Sequence, residues 1–76
     1  MPTESLTNNI RLLRFMAEDM TQAELGRRVG LTRQTIAAIE QSRYSPSLET
    51  AFRIADVFGK RIDEVFKWAP EGGAGA

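Results

Sequence analysis

Hydrophobic positions along the chain fall into five short periodic stretches, separated by runs of polar residues, glycine and proline. In the first, Leu6, Ile10, Leu13 and Ala17 recur at helical spacing and predict a helix over about 8–18, with Leu12, Phe15 and Met16 widening its buried stripe. Thr21-Gln22-Ala23-Glu24 opens the second as a capping box, in which the hydroxyl and the carboxylate each serve a backbone N–H at the helix start. Gly30 closes that helix, predicted over 22–29, because a glycine turns left-handed without a Cβ penalty. Thr32 caps a third helix over 33–41. The fourth starts at Ser45-Pro46-Ser47, where either serine can cap, and runs to Phe58 before Gly59. The fifth runs from Ile62 to about Trp68, with Ile62, Val65, Phe66 and Ala69 on its inner stripe, acids in its first turn and Pro70 as its stop. No stretch alternates long enough to support a strand, so the expected fold is all-α, a compact five-helix domain.

With 76 residues the chain has room for one domain: an arm over 1–9 leading into the first helix, a body over 10–69, and a flexible Gly/Ala tail over 70–76. A core of this size leaves about 3 to 5 kcal/mol of net stability, and zero cysteines remove disulfides as staples, which makes a second subunit an attractive source of further burial. The absence of His and Cys takes away the commonest general base, metal ligand and strong nucleophile, so no catalytic residue, metal or cofactor is expected. The adjacent acids Glu18-Asp19 and Asp63-Glu64 fit a solvated loop and a helix start better than a cation site. Apolar runs are too short for a bilayer span and no signal segment opens the sequence, which points to the cytoplasm. Ten Lys and Arg balance ten Asp and Glu, so any nucleic-acid partner must be met by a local patch. One exists: between Arg27 and Arg43 four arginines face one acid, Glu40, while Glu49, Asp56, Asp63, Glu64 and Glu71 crowd the last third.

On a helical wheel the third helix separates into two arcs. Ile36 and Ile39 fall on a narrow apolar one, and Arg33, Gln34, Ala37, Ala38 and Gln41 on the opposite side. A guanidinium can bond guanine bidentately, a glutamine amide can do the same to adenine, and alanine methyls can lie against thymine methyls, so this face suits a DNA major groove. An ordinary solvated face would more often carry Glu and Lys in i,i+4 pairs.

The run Thr21-Gln22-Ala23-Glu24-Leu25-Gly26-Arg27-Arg28-Val29-Gly30-Leu31-Thr32-Arg33-Gln34-Thr35-Ile36-Ala37-Ala38-Ile39-Glu40 resembles the helix-turn-helix of Cro-type and phage-repressor-like regulators, the xenobiotic-response-element family. Arg43-Tyr44-Ser45-Pro46-Ser47-Leu48 and Ala51-Phe52-Arg53-Ile54-Ala55 look like a subgroup of very small bacterial members. The resemblance covers about Ile10 to Trp68 and implies Arg33, Gln34, Thr35, Ala37 and Ala38 as base-reading positions. It implies Gln22 and Arg43 as phosphate contacts, joined by Thr32 and Gln41, and an ion pair between Arg14 and Glu40. Three departures stand out: a longer stretch from Arg14 to Gln22, Ser42 where the family has a helix-ending glycine, and Ala38 where phage repressors often carry a third base-reading glutamine.

On the fourth helix Leu48, Ala51, Phe52, Ala55 and Phe58 form the expected inward stripe, leaving Ile54 and Val57 off it. With Trp68, those two are the expected dimer contacts. The expected function is a sequence-specific, double-stranded DNA-binding transcriptional regulator, a homodimeric bacterial repressor on a palindromic operator, with no small-molecule ligand and no membrane partner. The alternative is an antitoxin-like protein-interaction module on the same fold.

Overall fold

The computed structural model describes residues 5–69, so the tail expected over 70–76 and the first four residues of the arm lie outside the described residues. In chain order the elements are β1 (Leu6–Asn8), α1 (Ile10–Met16), α2 (Gln22–Val29), α3 (Arg33–Glu40), α4 (Leu48–Val57), α5 (Ile62–Val65) and β2 (Phe66–Trp68). Three helices begin where a hydroxyl satisfies an otherwise orphan N–H: Thr21 accepts from Glu24, Thr32 from Thr35 and Ser47 from Thr50, which decides between the two serines before α4. The Glu24 carboxylate does not complete the expected box; Arg27 and Arg28 take it instead.

The fold is mostly helical, with the five expected helices, and it also holds a small two-stranded sheet. Phe66 leaves α5 with φ −113° and ψ 139°, and the three residues expected to extend that helix form β2, antiparallel to β1. The register pairs Leu6 with Trp68, Thr7 with Lys67 and Asn8 with Phe66. Three-residue strands carry too little alternation to be read in sequence, and this sheet exists because both ends of the domain meet. Around it, Asn9 donates its backbone N–H to the Val65 carbonyl at 2.9 Å and its side-chain amide to that of Glu64 at 3.1 Å, while Asn8 Nδ2 reaches the Ile39 carbonyl at 2.9 Å. The arm is thus stitched both to the C-terminal segment and to α3.

The core comprises Ile10, Leu25, Val29, Ile36, Ile39, Ile54, Ala55 and Val65. Ile54, expected at a dimer contact, is 0% exposed in it, whereas Leu48 and Phe52, expected inward, are exposed. Apolar residues occupy most of the circumference of α4, so periodicity alone does not choose its inner face; packing of Ala51, Ile54 and Ala55 against the rest of the domain does. Val57 is half-buried against the same core. Similarly, α1 buries Ile10 and packs Leu13 on the core, but Leu12, Phe15 and Met16 face outward rather than widening the buried stripe.

The join between α2 and α3 is set by a close backbone approach. A Cβ at Gly26 would meet the Leu31 carbonyl oxygen at 2.4 Å, and the Leu31 N–H donates to the Gly26 carbonyl at 2.8 Å. Gly30, at φ +80°, makes the turn between them. The departures noted in sequence also have structural form. Glu18 and Asp19 both take positive φ, 59° and 58°, absorbing the longer stretch after α1. Ser42 adopts φ +59°, so the left-handed geometry usually given to glycine is taken by a serine. The turn is closed by Ser42 N–H to Ile39 carbonyl, 3.0 Å, and Arg43 N–H to Ala38 carbonyl, 2.9 Å, the two bonds of a Schellman motif.

Gly26→Ala is expected to destabilise the domain by about 1 to 3 kcal/mol, because the added methyl meets backbone that cannot rotate away. A lowered urea midpoint at unchanged slope checks this; an unchanged midpoint would show that α2 and α3 can separate at no cost.

Candidate nucleic-acid interface

Ile36 and Ile39 are fully sunk in the core, which fixes the rotation of α3 and turns its other face outward. Arg33 and Gln34 are exposed at the first turn, and among the described residues neither side chain has a hydrogen-bond partner. Ala37 and Ala38 are half-buried on the same helix. The Thr35 hydroxyl sits 3.0 Å from that of Thr32, so both threonines are occupied with the helix start and keep only residual hydrogen-bonding capacity. Gln41 follows α3 and accepts from Arg43 Nε at 2.8 Å, which places these two expected backbone-contacting residues side by side.

Behind this face lies a charge clamp. Arg14 grips Glu40 bidentately, Nε to Oε2 at 2.6 Å and Nη2 to Oε1 at 3.0 Å, with the two side chains only 15% and 7% exposed. Arg14 also donates to the Met20 carbonyl at 2.8 Å, so α1, the loop and the end of α3 are held by one guanidinium. Deleting either partner would leave the other charge poorly solvated, at a cost of about 3 kcal/mol. Gln22, expected on phosphate, is half-buried at the start of α2 and donates Nε2 to Glu40 Oε1 at 3.1 Å. An amide nitrogen carries two hydrogens, so one N–H of Gln22 is held by the clamp and the second is left to donate to an anion.

The local charge is smaller than sequence counting gives. Arg27 and Arg28 share Glu24, at 2.6 and 2.7 Å, a carboxylate just outside the window that was counted. Arg33 and Arg43 are the members of the arginine cluster with no carboxylate partner among the described residues. The guanidiniums of Arg27 and then Arg28 hold the Glu24 carboxyl well below its ordinary 4.5, down to about 2, and Glu24 in turn raises Arg27.

Sequence reasoning missed Tyr44. It is exposed in the loop after α3, yet the Ser42 turn brings it back so that it lines an open depression with Gln34, Thr35 and Ala38. Its signal in the sequence is its position just beyond a helix end, which becomes informative only once that end is known to reverse. The expected dimer contacts are scattered: Ile54 in the core, Val57 half-buried, and Trp68 71% exposed on β2. Among the described residues no group of three or more His, Cys, Asp or Glu is arranged to hold a metal, and no helix is long and apolar enough to cross a membrane.

Because the Glu24 carboxyl titrates lower folded than unfolded, its contribution to stability is complete above about 4.5 and is lost as pH falls toward about 2. A side-chain carboxyl titration followed by NMR is expected to place the Glu24 midpoint near 2, and Glu24→Gln is expected to flatten the acid limb of the stability profile. A midpoint near 4.5 would show that the arginines are not held on it.

A family model described as helix-turn-helix matches residues 10–65. An HTH-type transcriptional regulator of Methanocaldococcus jannaschii is 41% identical over 61 residues, covering 80% of this chain and 91% of its own length. One from Methanothermobacter thermautotrophicus is 56% identical over 48 residues, 62% of this chain and 70% of its own, and YgzD of Bacillus subtilis is 47% identical over 51 residues, 67% and 76%. Relatives therefore include archaeal proteins, and the expected bacterial assignment does not follow from them. Among solved structures, a hypothetical transcription factor from Neisseria, NHTF, superposes with a TM-score of 0.66 at 30% identity over 74% of this chain, which spans 62% of that protein. With its matched segment running from the start of α1 to the end of α5, the chain belongs to the Cro/C1-type helix-turn-helix family.

Proposed function

We propose that the protein is a sequence-specific, double-stranded DNA-binding transcriptional regulator that inserts α3 into the major groove. The observation that carries this reading is the face of α3. Two isoleucines anchor it from behind, while Arg33 and Gln34 stand exposed and, among the described residues, have no side-chain hydrogen bond to break before meeting base edges. Gln22 and Arg43 flank that face as phosphate contacts, assisted by Thr32 and Gln41, and they position the helix without reading sequence. Thr35, Ala37 and Ala38 complete the reading surface by shape and methyl contact.

A homodimeric repressor on a palindromic operator is the form that best suits so small a reading surface. One copy supplies few phosphate contacts and no net charge, whereas two copies double the contacts and set two α3 helices about 34 Å apart on one face of the duplex. With Ile54 in the core, the exposed apolar side chains open to a second copy include Leu12, Phe15 and Met16 on α1, Leu48 and Phe52 on α4, and Trp68 on β2. Repression follows from occupancy of the operator. The exposed apolar side chains on a chain of zero formal charge also support a second reading, a protein-interaction module on the same fold.

Selection from random duplex DNA, followed by binding measurements over a range of salt, separates these readings. Arg33→Ala and Gln34→Ala are each expected to cost about 1 to 3 kcal/mol and relax preference at one base pair, while Gln22→Ala and Arg43→Ala weaken all sequences alike. Affinity is expected to fall steeply with salt as phosphate contacts release counterions. Enrichment of no sequence, or variants of Arg33 and Gln34 with unaltered base preference, would overturn the assignment of the reading face.

A further inference from the structure

We infer that Tyr44 is a specificity-determining residue whose ring, with Ala38 and Thr35, forms a seat for the 5-methyl group of a thymine in the bound duplex. The inference rests on the DNA-binding reading above and deepens it. Four observations lead to it. The reversed turn at Ser42 folds the chain back at the end of α3, so a loop residue joins the helix face instead of trailing away from it. Tyr44, 53% exposed, then shares one open depression with Gln34, Thr35 and Ala38. Three of the four lining groups offer carbon to an occupant: the aromatic ring, the alanine methyl and the threonine methyl. Thr35 Oγ1 is engaged with Thr32, which leaves its polar end directed to the helix start. The fourth is Gln34, an exposed residue of the first turn of α3.

That combination selects an occupant. The sequence neighbours of the depression, Arg33 and Arg43, have no carboxylate partner among the described residues, so the surroundings favour a polyanion over an apolar peptide. In a major groove the apolar group presented at a base edge is the C5-methyl of thymine, and the base pair that carries it also carries the adenine N6 and N7 that a glutamine amide bonds bidentately. An open depression walled by Tyr44, Ala38 and Thr35, with Gln34 beside them, therefore fits the edge of a T·A pair, its methyl lying against the Tyr44 ring and Ala38 and the amide of Gln34 on an adenine of the same or the next pair. Tyr44 would thus supply by shape what Ala38, lacking a hydrogen-bonding group, cannot supply by polarity.

The test deletes the methyl from the DNA and leaves base pairing intact. In the operator obtained by selection, each thymine is replaced singly by deoxyuridine and binding of the full chain is measured. At one thymine per half-site the wild type is expected to lose about four-fold in affinity, the loss associated with one buried methyl group. Tyr44→Ala, at a largely exposed position, is expected to bind the thymine operator more weakly and to show no further loss on deoxyuridine at that position. Tyr44→Phe, which keeps the ring, is expected to behave as wild type. Deoxyuridine tolerated by the wild type at every position would overturn the inference. So would a penalty that persists undiminished in Tyr44→Ala, or a Tyr44→Phe as weak as Tyr44→Ala, which would assign the hydroxyl to phosphate instead. Selection that enriches no duplex at all is a different result, and overturns the DNA-binding reading itself.

Discussion

A methyl group at position 26 would lie 2.4 Å from the Leu31 carbonyl oxygen, and the angle between α2 and α3 depends on that space staying empty. Gly26 brings the backbone of α2 against the turn closely enough for its carbonyl to accept from Leu31 N–H, so the turn is held from both sides. With the turn fixed, Ile36 and Ile39 reach the core beside Leu25 and Val29, and the rotation of α3 follows. Everything exposed on the far side of that helix, Arg33 and Gln34 first, is placed by packing that happens behind it.

The Arg14 and Glu40 pair adds a second constraint of a different kind. Nonspecific apolar contacts tolerate small rotations, whereas a bidentate pair that is almost fully shielded does not, because loss of geometry exposes two poorly solvated charges to each other's absence. Glu40 also accepts from Gln22, so the residue that fixes the end of α3 orients the amide at the start of α2. The clamp therefore ties the end of α3 to the start of α2 through a single carboxylate.

The legible parts of the fold were those determined locally. The spans of α2 and α3 could be read because threonine caps and Gly30 act within a few residues, and the isoleucines of α3 could be oriented because its apolar arc is narrow. What failed was whatever depends on a distant neighbour. The strands β1 and β2 exist only as partners of each other. The wheel of α4 offered two apolar arcs, and only the packing of the remaining helices shows that Ile54 points in and Leu48 and Phe52 point out. The positions of the candidate reading residues were legible through the family pattern, but the neutralisation of Arg27 and Arg28 by Glu24, the hold of Glu40 on Gln22 and the return of Tyr44 toward α3 are tertiary facts. The first two alter the chemistry of the site without altering its list of residues, and the third adds a residue to it.

On the proposed reading, a duplex docks on the outward face of α3, framed by the start of α2 and the loop after α3. The most direct measurement is an NMR titration of the isotopically labelled full chain with a selected duplex, following backbone amides and the side-chain resonances of Arg33 and Gln34. The largest changes are expected to cluster at Gln22, Thr32 to Ala38 and Arg43 to Tyr44, while the core resonances of Ile10, Ile54 and Val65 stay in place. Changes confined to α4, α5 and β2, with Arg33 and Gln34 unmoved, would contradict it.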